Sequence, residues 1–339
     1  MNPSTKNTKF ASMKPIQLMT YRYGSTLPPL PGESLPNSSE LFQVYGQTPG
    51  YAPVLIVAYI DRKPVAKLMA VIRRSVRFFP PSIIKRCEIF GTGEYFDHSH
   101  SPEELFGMML EHLTGEVLKD CFLIEVRNLP KSLFGYKHFR RNGYFPVNWI
   151  RVYNSLHSLS PEERIESKRM RHINRALKQG VTLKEAETEA ELDAFLQMLR
   201  RNYSSKIRKH FPDLQLFRLL SEQHPGMKSA KIFLVLYGKK VIGGSFCMYS
   251  EDRAYLCFTG GLRKTYAWLH PGVMAVWAAL TDAHRQGCSH FEFVDAGLPF
   301  RKVGYRNFIL SFGGKQVSTR RWFRFRWKWL NRLARWLYR

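Results

Sequence analysis

The sequence is short of acid. It has 27 Asp and Glu against 52 Lys and Arg, a net charge of +25, and no carboxylate side chain after Asp295, beyond which twelve basic residues follow. Such a balance favours anionic partners: phosphates, tRNA or an anionic membrane surface. The chain also lacks CxxC pairs. Cys87, Cys121, Cys247, Cys257 and Cys288 are odd in number and scattered, so neither a zinc ribbon nor a disulfide scaffold is indicated, and a reducing cytoplasm is the expected setting. His98 and His100 in "YFDHSHS" bring no further ligand set, and no metal is expected. Long apolar runs are missing as well. The first residues lack the apolar core of a signal peptide, and the uncharged stretches 41–60 and 265–281 are interrupted by Pro, Gly and polar residues, so no transmembrane helix is expected.

What is present suits a globular protein: 339 residues, 44% hydrophobic and 14% aromatic, enough for two domains with cores of their own. Residues 1–36 are polar with Pro28, Pro29, Pro31 and Pro36, and read as an extension lying loosely over the first domain. One pattern is then stated twice. "VLIVAYIDRKPVAKLMAVIRR" is a hairpin turning at Asp61–Pro64. A helix follows at "SPEELFGMMLEHLTGEVL", with Ser101 as N-cap, Pro102 at the first position and Glu104 completing a capping box. The strand "CFLIEVRNL" and a short helix near 133–141 close the unit. In the second statement "KIFLVLYGKKVIGGSFCMYS" is a hairpin turning at Gly238–Lys240 and "AYLCFTGG" a strand. "HPGVMAVWAALTDAHRQG" is a helix stopped by Gly287, and "HFEFVD" a strand. Corresponding elements are offset by about half the chain, as duplication gives. Meander, helix and strand in that order imply a mixed sheet with a helical crossover. The expected organisation is an extension (1–36), a first domain (37–157), a basic linker helix (158–182) capped by Ser160, a second domain (183–326) and a basic aromatic tail (327–339).

In the tail, Phe323, Phe325, Trp327 and Trp329 alternate with Arg324, Arg326 and Lys328, the period of a strand. From Trp329 the period becomes helical: Trp329, Leu330, Leu333, Trp336 and Leu337 share a face, while Asn331, Arg332, Arg335 and Arg339 face away. If half of the eight cations after residue 319 approach an anionic leaflet, the gross gain is roughly 4 kcal/mol, enough for reversible attachment. Interleaved aromatic and arginine residues also suit single-stranded nucleic acid, but a continuous apolar face favours the membrane.

The linker "SKRMRHINRALKQGV" resembles S-K-x-R-x-x-I-x-R-A-x-x-x-G-V of the FemAB-like branch of the GNAT acyltransferase superfamily, matched at Ser167, Lys168, Arg171, Ile173, Arg175, Ala176, Gly180 and Val181. "FVDAGLPFRKVGYRNFILSFGG" is similar to the C-terminal signature of that branch. The chain departs at Ile309, where many peptidyl-transferring members carry Lys after the Phe. The resemblance, over residues 40–320, implies an α/β fold (α+β mixed sheets) of two tandem GNAT-like domains joined by a basic helix, with a C-terminal amphipathic helix.

It further implies direct attack of an amine on a thioester, or on an ester in the tRNA-using branch, with position and charge supplied by the protein. Gly243 and Gly244 would then permit a bulge or close donor approach, or keep a strand thin for packing. Arg263, Lys264, His270 and Gly272 are candidates for a phosphate cradle at a helix N-terminus, although the Q/R-x-x-G-x-G/A pattern is absent. Arg171, Arg175 and Lys178 share one helical face and, with Lys168, could hold a pyrophosphate or RNA backbone, or form a solvated face. Ile173 and Leu177 would anchor the other side. Asp295 could orient an ammonium or cap the Gly297 turn, and Tyr305 could protonate a leaving group or simply pack. The expected activity is N-acyl or aminoacyl transfer to an amine on a lipid-linked or cell-envelope precursor. The donor would be an acyl-CoA or another acyl thioester, alternatively an aminoacyl-tRNA, and the protein would sit on the inner face of the cytoplasmic membrane. The competing readings are an aminoacyl-tRNA-dependent bridge peptidyltransferase and a non-catalytic RNA- or membrane-binding protein.

Overall fold

The apolar runs form the strands. The computed structural model describes residues 15–74, 85–127, 129, 131–202, 212–222, 229–301 and 304–338. In chain order they form β1 (Gln17–Arg22), α1 (Ser39–Gln47), β2 (Tyr51–Ile60), β3 (Lys63–Arg74), β4 (Lys85–Phe90), β5 (Glu94–Tyr95), α2 (Pro102–Val117), β6 (Leu123–Arg127), α3 (Tyr136–Arg141), β7 (Phe145–Ser155), α4 (Pro161–Arg164), α5 (Ser167–Lys178) and β8 (Val181–Glu185). There follow α6 (Glu189–Asn202), α7 (Leu214–Glu222), β9 (Ala230–Tyr237), β10 (Lys240–Ser250), β11 (Arg253–Gly261), α8 (Pro271–Arg285), β12 (His290–Phe293), α9 (Gly304–Leu310), β13 (Lys315–Phe325) and α10 (Lys328–Leu337). One mixed sheet runs in the order β1-β2-β3-β4-β6-β13-β7-β12-β11-β10-β9-β8, with β5 beside β3.

Each half contains a hairpin and a parallel pair joined through a helix: β4 with β6 across α2, and β11 with β12 across α8. The fold is thus the mixed α/β arrangement of two like units, with a basic helical segment between them and a C-terminal helix. The chain returns at its end, because β13 inserts between β6 and β7 and welds the halves together.

Three local expectations are corrected. Part of the N-terminal extension is an edge strand, β1, paired along its length with β2; residues 1–14 lie outside the described residues. Ser101 stands at the N-cap of α2 without a side-chain bond to the helix, whereas the capping box forms at α4 between Ser160 and Glu163. The linker is two helices, not one. Ile165 turns extended between them and is buried at 7% exposure, and the Glu166 amide donates to the Ser311 carbonyl. Burial of an isoleucine outweighs the helical continuity of the flanking residues.

The sheet curls. Four strands separate β4 from β11, so a flat sheet would hold them roughly 24 Å apart, yet the rings of Phe90 and Tyr255 meet edge to face with centroids at 5.6 Å. On the convex face α2 covers one core, containing Ile124, Val126 and Trp322, and α8 covers another, containing Ile150, Val152, Phe291 and Phe293. A third core bridges the open ends of the curl. Leu55, Val57 and Met69 from the first half meet Leu234 and Phe246 from the second, through α1, α6 and α7.

Candidate functional site

The concave face of the sheet carries charge where side-chain alternation would ordinarily put solvent. On each middle strand one parity feeds the convex cores and the other points into the curl: Arg73 on β3, Glu88 on β4, Glu125 and Arg127 on β6, Arg321 on β13, Trp149 and Arg151 on β7, Glu292 on β12. The pairing register aligns them, since Glu88 lies opposite Glu125 in the β4–β6 ladder and Tyr153, two positions from Arg151, lies opposite Glu292.

These groups are ion-paired. Glu88 receives Arg73 at 2.9 Å on one oxygen and Arg127 at 3.0 Å on the other. Burial works against its charge, but the guanidiniums of Arg127, Arg73 and Arg86 hold its carboxyl down to about 2. Glu125, 1% exposed, is bound by Arg86 and, at 2.9 Å, by Arg321. Burial brings Arg321 down to about 10, so it remains a cation at neutral pH. Glu292 is bound by Arg151 and Arg253. A carboxylate this deeply buried persists only because several guanidiniums replace its hydration.

A cavity of about 1360 Å³ fills the curl, lined on the charged side by Arg73, Glu88, Arg127 and Asp295. It opens where β11 and β12 part. Their parallel ladder runs from Arg253↔His290 to Leu256↔Phe293; β11 then continues to Gly261 while the chain after β12 turns away through Val294–Gly297. Leu256–Gly261 on one side and Val294–Gly297 on the other line the cavity. The corresponding pair in the first half, β4 and β6, stays laddered from Arg86↔Leu123 to Phe90↔Arg127, so among the described residues the gap belongs to the second half.

The N-terminus of α8 stands at this gap. His270 adopts φ 46°, a strained conformation for a non-glycine residue, and Pro271 then starts the helix. A side chain at Gly261 would strike the Gly272 amide at 2.7 Å, so strand and helix start abut because position 261 is glycine; a Cβ on Gly272 itself would meet nothing within 4 Å. Arg263, His270 and Gly272 line the cavity, as does Arg169 of α5. The rings of His172 and His270 stack at 3.8 Å. Burial lowers the basicity of both, reinforced at His172 by His270 and Arg169 and at His270 by Arg175 and Arg169. The pair is therefore neutral near pH 7.

Asp295 sits across the gap. Its Oδ1 accepts from Trp149 Nε1 and from the Gly297 amide, both at 3.0 Å, and lies 3.5 Å from Arg321. Asp295 therefore both caps the turn and faces the cavity. Tyr305, Phe308 and Gly304 of α9 line the same space, while Ile309 is fully buried in the α8 core.

Several expected site residues lie elsewhere. Gly243 and Gly244 do not line the cavity: a Cβ on Gly243 would meet the Pro271 carbonyl at 2.8 Å, and one on Gly244 the Phe233 carbonyl at 2.6 Å and the Phe195 ring. They admit α8 and α6 to the sheet, although a register shift between Val241 and Gly243 does mark an irregularity there. Lys264, Lys168, Arg171 and Arg175 are exposed and are not among the cavity residues. The residue of α5 that reaches inward is Arg169, its guanidinium 5.3 Å over Phe308 and its Nε donating to Ser311 at 2.7 Å. Ile173 and Ala176, not the exposed Leu177, anchor α5. His100 pairs with Asp97. Sequence reasoning missed the arginine and glutamate row entirely, although one signal was available: β4, β6 and β12 each carry a single Glu flanked by core-forming residues.

Comparison with known proteins bears on the fold. No curated protein matches the sequence. The model of an acetyltransferase (GNAT) domain matches residues 167–302, the part of the chain that contains the gap between β11 and β12. Among solved structures, FemX has a TM-score of 0.62 at 12% identity, covering 89% of this chain and 94% of that one. A tandem GNAT protein of the clavulanic acid biosynthesis pathway has 0.54 at 11%, covering 83% and 85%. The C-terminal domain of a putative lysylphosphatidylglycerol synthetase from Agrobacterium fabrum has 0.53 at 11%, covering 80% and 83%. At these identities the likeness is one of fold.

Proposed function

Proceeding from the chain as a GNAT-type acyltransferase of FemAB-like tandem fold, we propose that it moves an acyl or aminoacyl group onto an amine of a lipid-linked or cell-envelope precursor by direct attack. The observation that carries this reading is the gap between β11 and β12, opening into the cavity with the start of α8 on one side and Asp295 on the other. A thioester donor lies with its carbonyl in the gap and its phosphates near Gly272, His270 and Arg263, where free amides and a helix dipole favour anions. The acceptor ammonium is held by Asp295, whose Oδ1 is already engaged, leaving Oδ2 for the substrate. Asp295 takes one proton from the ammonium and passes it to solvent, freeing the amine to attack the acyl carbon; the C–N bond forms as the C–S bond breaks, and the second proton lost from the nitrogen balances the one the thiolate takes, with Tyr305 at hand. Arg169, beside Phe308, supplies the cation that Ile309 does not.

The lipid-linked setting is supported by α10. Its exposed face carries Trp329, Leu333, Trp336 and Leu337, with Trp336 71% exposed, while Asn331 and Ala334 pack inward. Among the described residues no helix is long and apolar enough to cross a membrane, and an exposed aromatic face on a basic helix suits the plane of an anionic surface. The structurally similar Agrobacterium protein carries a name that denotes a lysylated phospholipid, in keeping with a lipid-linked acceptor.

A second reading, aminoacyl transfer from tRNA, is favoured by the exposed cations of α5. Two parallel assays separate them: acyl-CoA with candidate amines, free thiol followed, and aminoacyl-tRNA with the same amines, acylated product followed, each with and without RNase. Thiol release indifferent to RNase is the expected result. Turnover abolished by RNase would establish the tRNA donor, and no turnover with any donor would leave a binding protein. Mass spectrometry of copurifying molecules identifies the donor independently.

A further inference from the structure

The cavity has two chemically opposed ends, and one strand connects them. On β3 the residues facing the curl are Arg73, Val71 and Met69, two positions apart, all lining the cavity. Arg73 belongs to the ion cluster with Glu88 and Arg127. Met69 belongs to the core that bridges the curl, with Leu41, Leu216 and Leu220, three residues that also line the cavity. The distance from Arg73 to Met69 along the strand is about 13 Å. At about 1.5 Å per C–C bond, less the zigzag, that is the length of an alkyl chain of roughly ten carbons.

The charged end has an excess of cations. Arg73, Arg86, Arg127 and Arg321 face Glu88, Glu125 and Asp295, four positive charges against three negative in a poorly hydrated fold. The side chains of Arg73 and Arg127 retain 22% and 26% exposure, and both line the cavity. An anion placed there completes the charge balance and meets the accessible parts of the two guanidiniums. The volume, about 1360 Å³, also exceeds the usual 300–1,000 Å³ or so of a small-ligand pocket.

We propose that the curl is a binding site for an amphiphilic anion, its carboxylate or phosphate on Arg73 and Arg127 and its alkyl chain along Val71 and Met69 toward Leu41, Leu216 and Leu220. Its role as a substrate of acyl transfer rests on the function proposed above; binding itself does not, and is measured without turnover. Either a fatty acid or a lipid phosphate offers the head group, and the probes distinguish them.

The test is calorimetric titration of the full chain, below micelle formation, with alkyl phosphates of four to twelve carbons, dodecanoate, dodecyl maltoside and dodecyltrimethylammonium. Affinity should rise about tenfold for every two carbons up to about ten. Both anionic dodecyl probes should bind at least tenfold tighter than the neutral and cationic ones, the tighter of the two naming the head group. Arg127→Gln should remove that preference and Arg127→Lys largely restore it. Because Arg127→Gln leaves Glu88 with fewer partners and could impair folding, the chain-length series on the unaltered protein decides the matter by itself. Affinity independent of chain length, or equal for dodecyl maltoside and dodecyl phosphate, overturns the proposal. Acyl transfer to a short polar amine combined with no amphiphile binding would sink this inference and leave the proposed function standing; amphiphile binding without turnover does the reverse.

Discussion

The Arg321 guanidinium lies 3.9 Å from the centroid of the Trp149 indole, whose N–H donates to Asp295. The strand that closes the sheet and the strand it pairs with thus jointly position the carboxylate at the mouth of the β11–β12 gap. Arg321 is also bound to Glu125 of the first half, so the candidate catalytic group is held by residues from three parts of the chain.

Asp295→Asn keeps an acceptor for Trp149 and the Gly297 amide but removes the charge that would hold an ammonium. Turnover should fall on the order of 10²-fold with little change in melting temperature, since the residue is exposed. Steady-state kinetics beside a thermal melt checks it; undiminished kcat/KM removes Asp295 from the reaction.

Arg321→Met should cost about 3 kcal/mol, because it strips a partner from the buried Glu125. Adding Glu125→Leu should recover much of that loss by removing the stranded charge. Urea denaturation of both variants tests this, and equal destabilisation of the single and double variants would contradict it.

The stacked His172 and His270 have basicities below the ordinary histidine value in the fold. The unfolded chain therefore binds more protons through the interval below roughly pH 6.5, and stability, complete above about pH 7, should decline as pH falls through that value. His172→Phe retains a stacking ring without a titrating group. It should reduce, without abolishing, the fall in melting temperature between pH 7.5 and 5.5, since the basicities of His270, His138 and His290 are also lowered in the fold; the window lies well above the one in which Glu88 protonates.

The glycines should separate by role. Gly244→Ala drives a methyl into the Phe233 carbonyl and should destabilise by about 1–3 kcal/mol. Gly272→Ala meets nothing, so it should leave the fold intact and weaken the donor alone, seen as a raised KM for acyl-CoA. A stable Gly244→Ala protein would remove the packing role assigned here.

Trp329→Ser with Trp336→Ser should reduce binding to anionic vesicles about tenfold or more while the protein remains folded, because both rings are exposed. Deletion of the helix is a poorer test. Asn331 accepts from the Phe325 amide and donates to the Gly143 carbonyl, so α10 also secures the end of β13. Vesicle sedimentation decides, and unchanged binding ends the membrane role.

Much of the fold was legible in the sequence because it is encoded locally. The hairpin turns at Asp61 and Gly238, the proline-started helices and the change of period near Trp327 depend on neighbours a few residues away. The tail illustrates the limit. Its strand and helix were readable, but Asn331, polar and on the face expected to point away, is buried because the Phe325 amide and the Gly143 carbonyl, the latter distant in sequence, need its side-chain amide.

The candidate site was less legible. Arg263, His270, Gly272, Asp295 and Tyr305 could be named from a helix start and a signature loop, and all five line the cavity. Arg169 could not be told from Arg171 or Arg175, since which arginine of a helix faces inward is set by what the helix packs on. By itself the sequence determined the elements, the duplicated order and the excess of cations, through propensities and periodicity. Only tertiary structure decided that Arg73, Glu88, Arg127 and Arg321 share one interior. Alternation places a polar row on one face of a sheet without saying whether that face meets water, and here the curl of the sheet, closed by apolar contacts between its outer strands, turns that face inward.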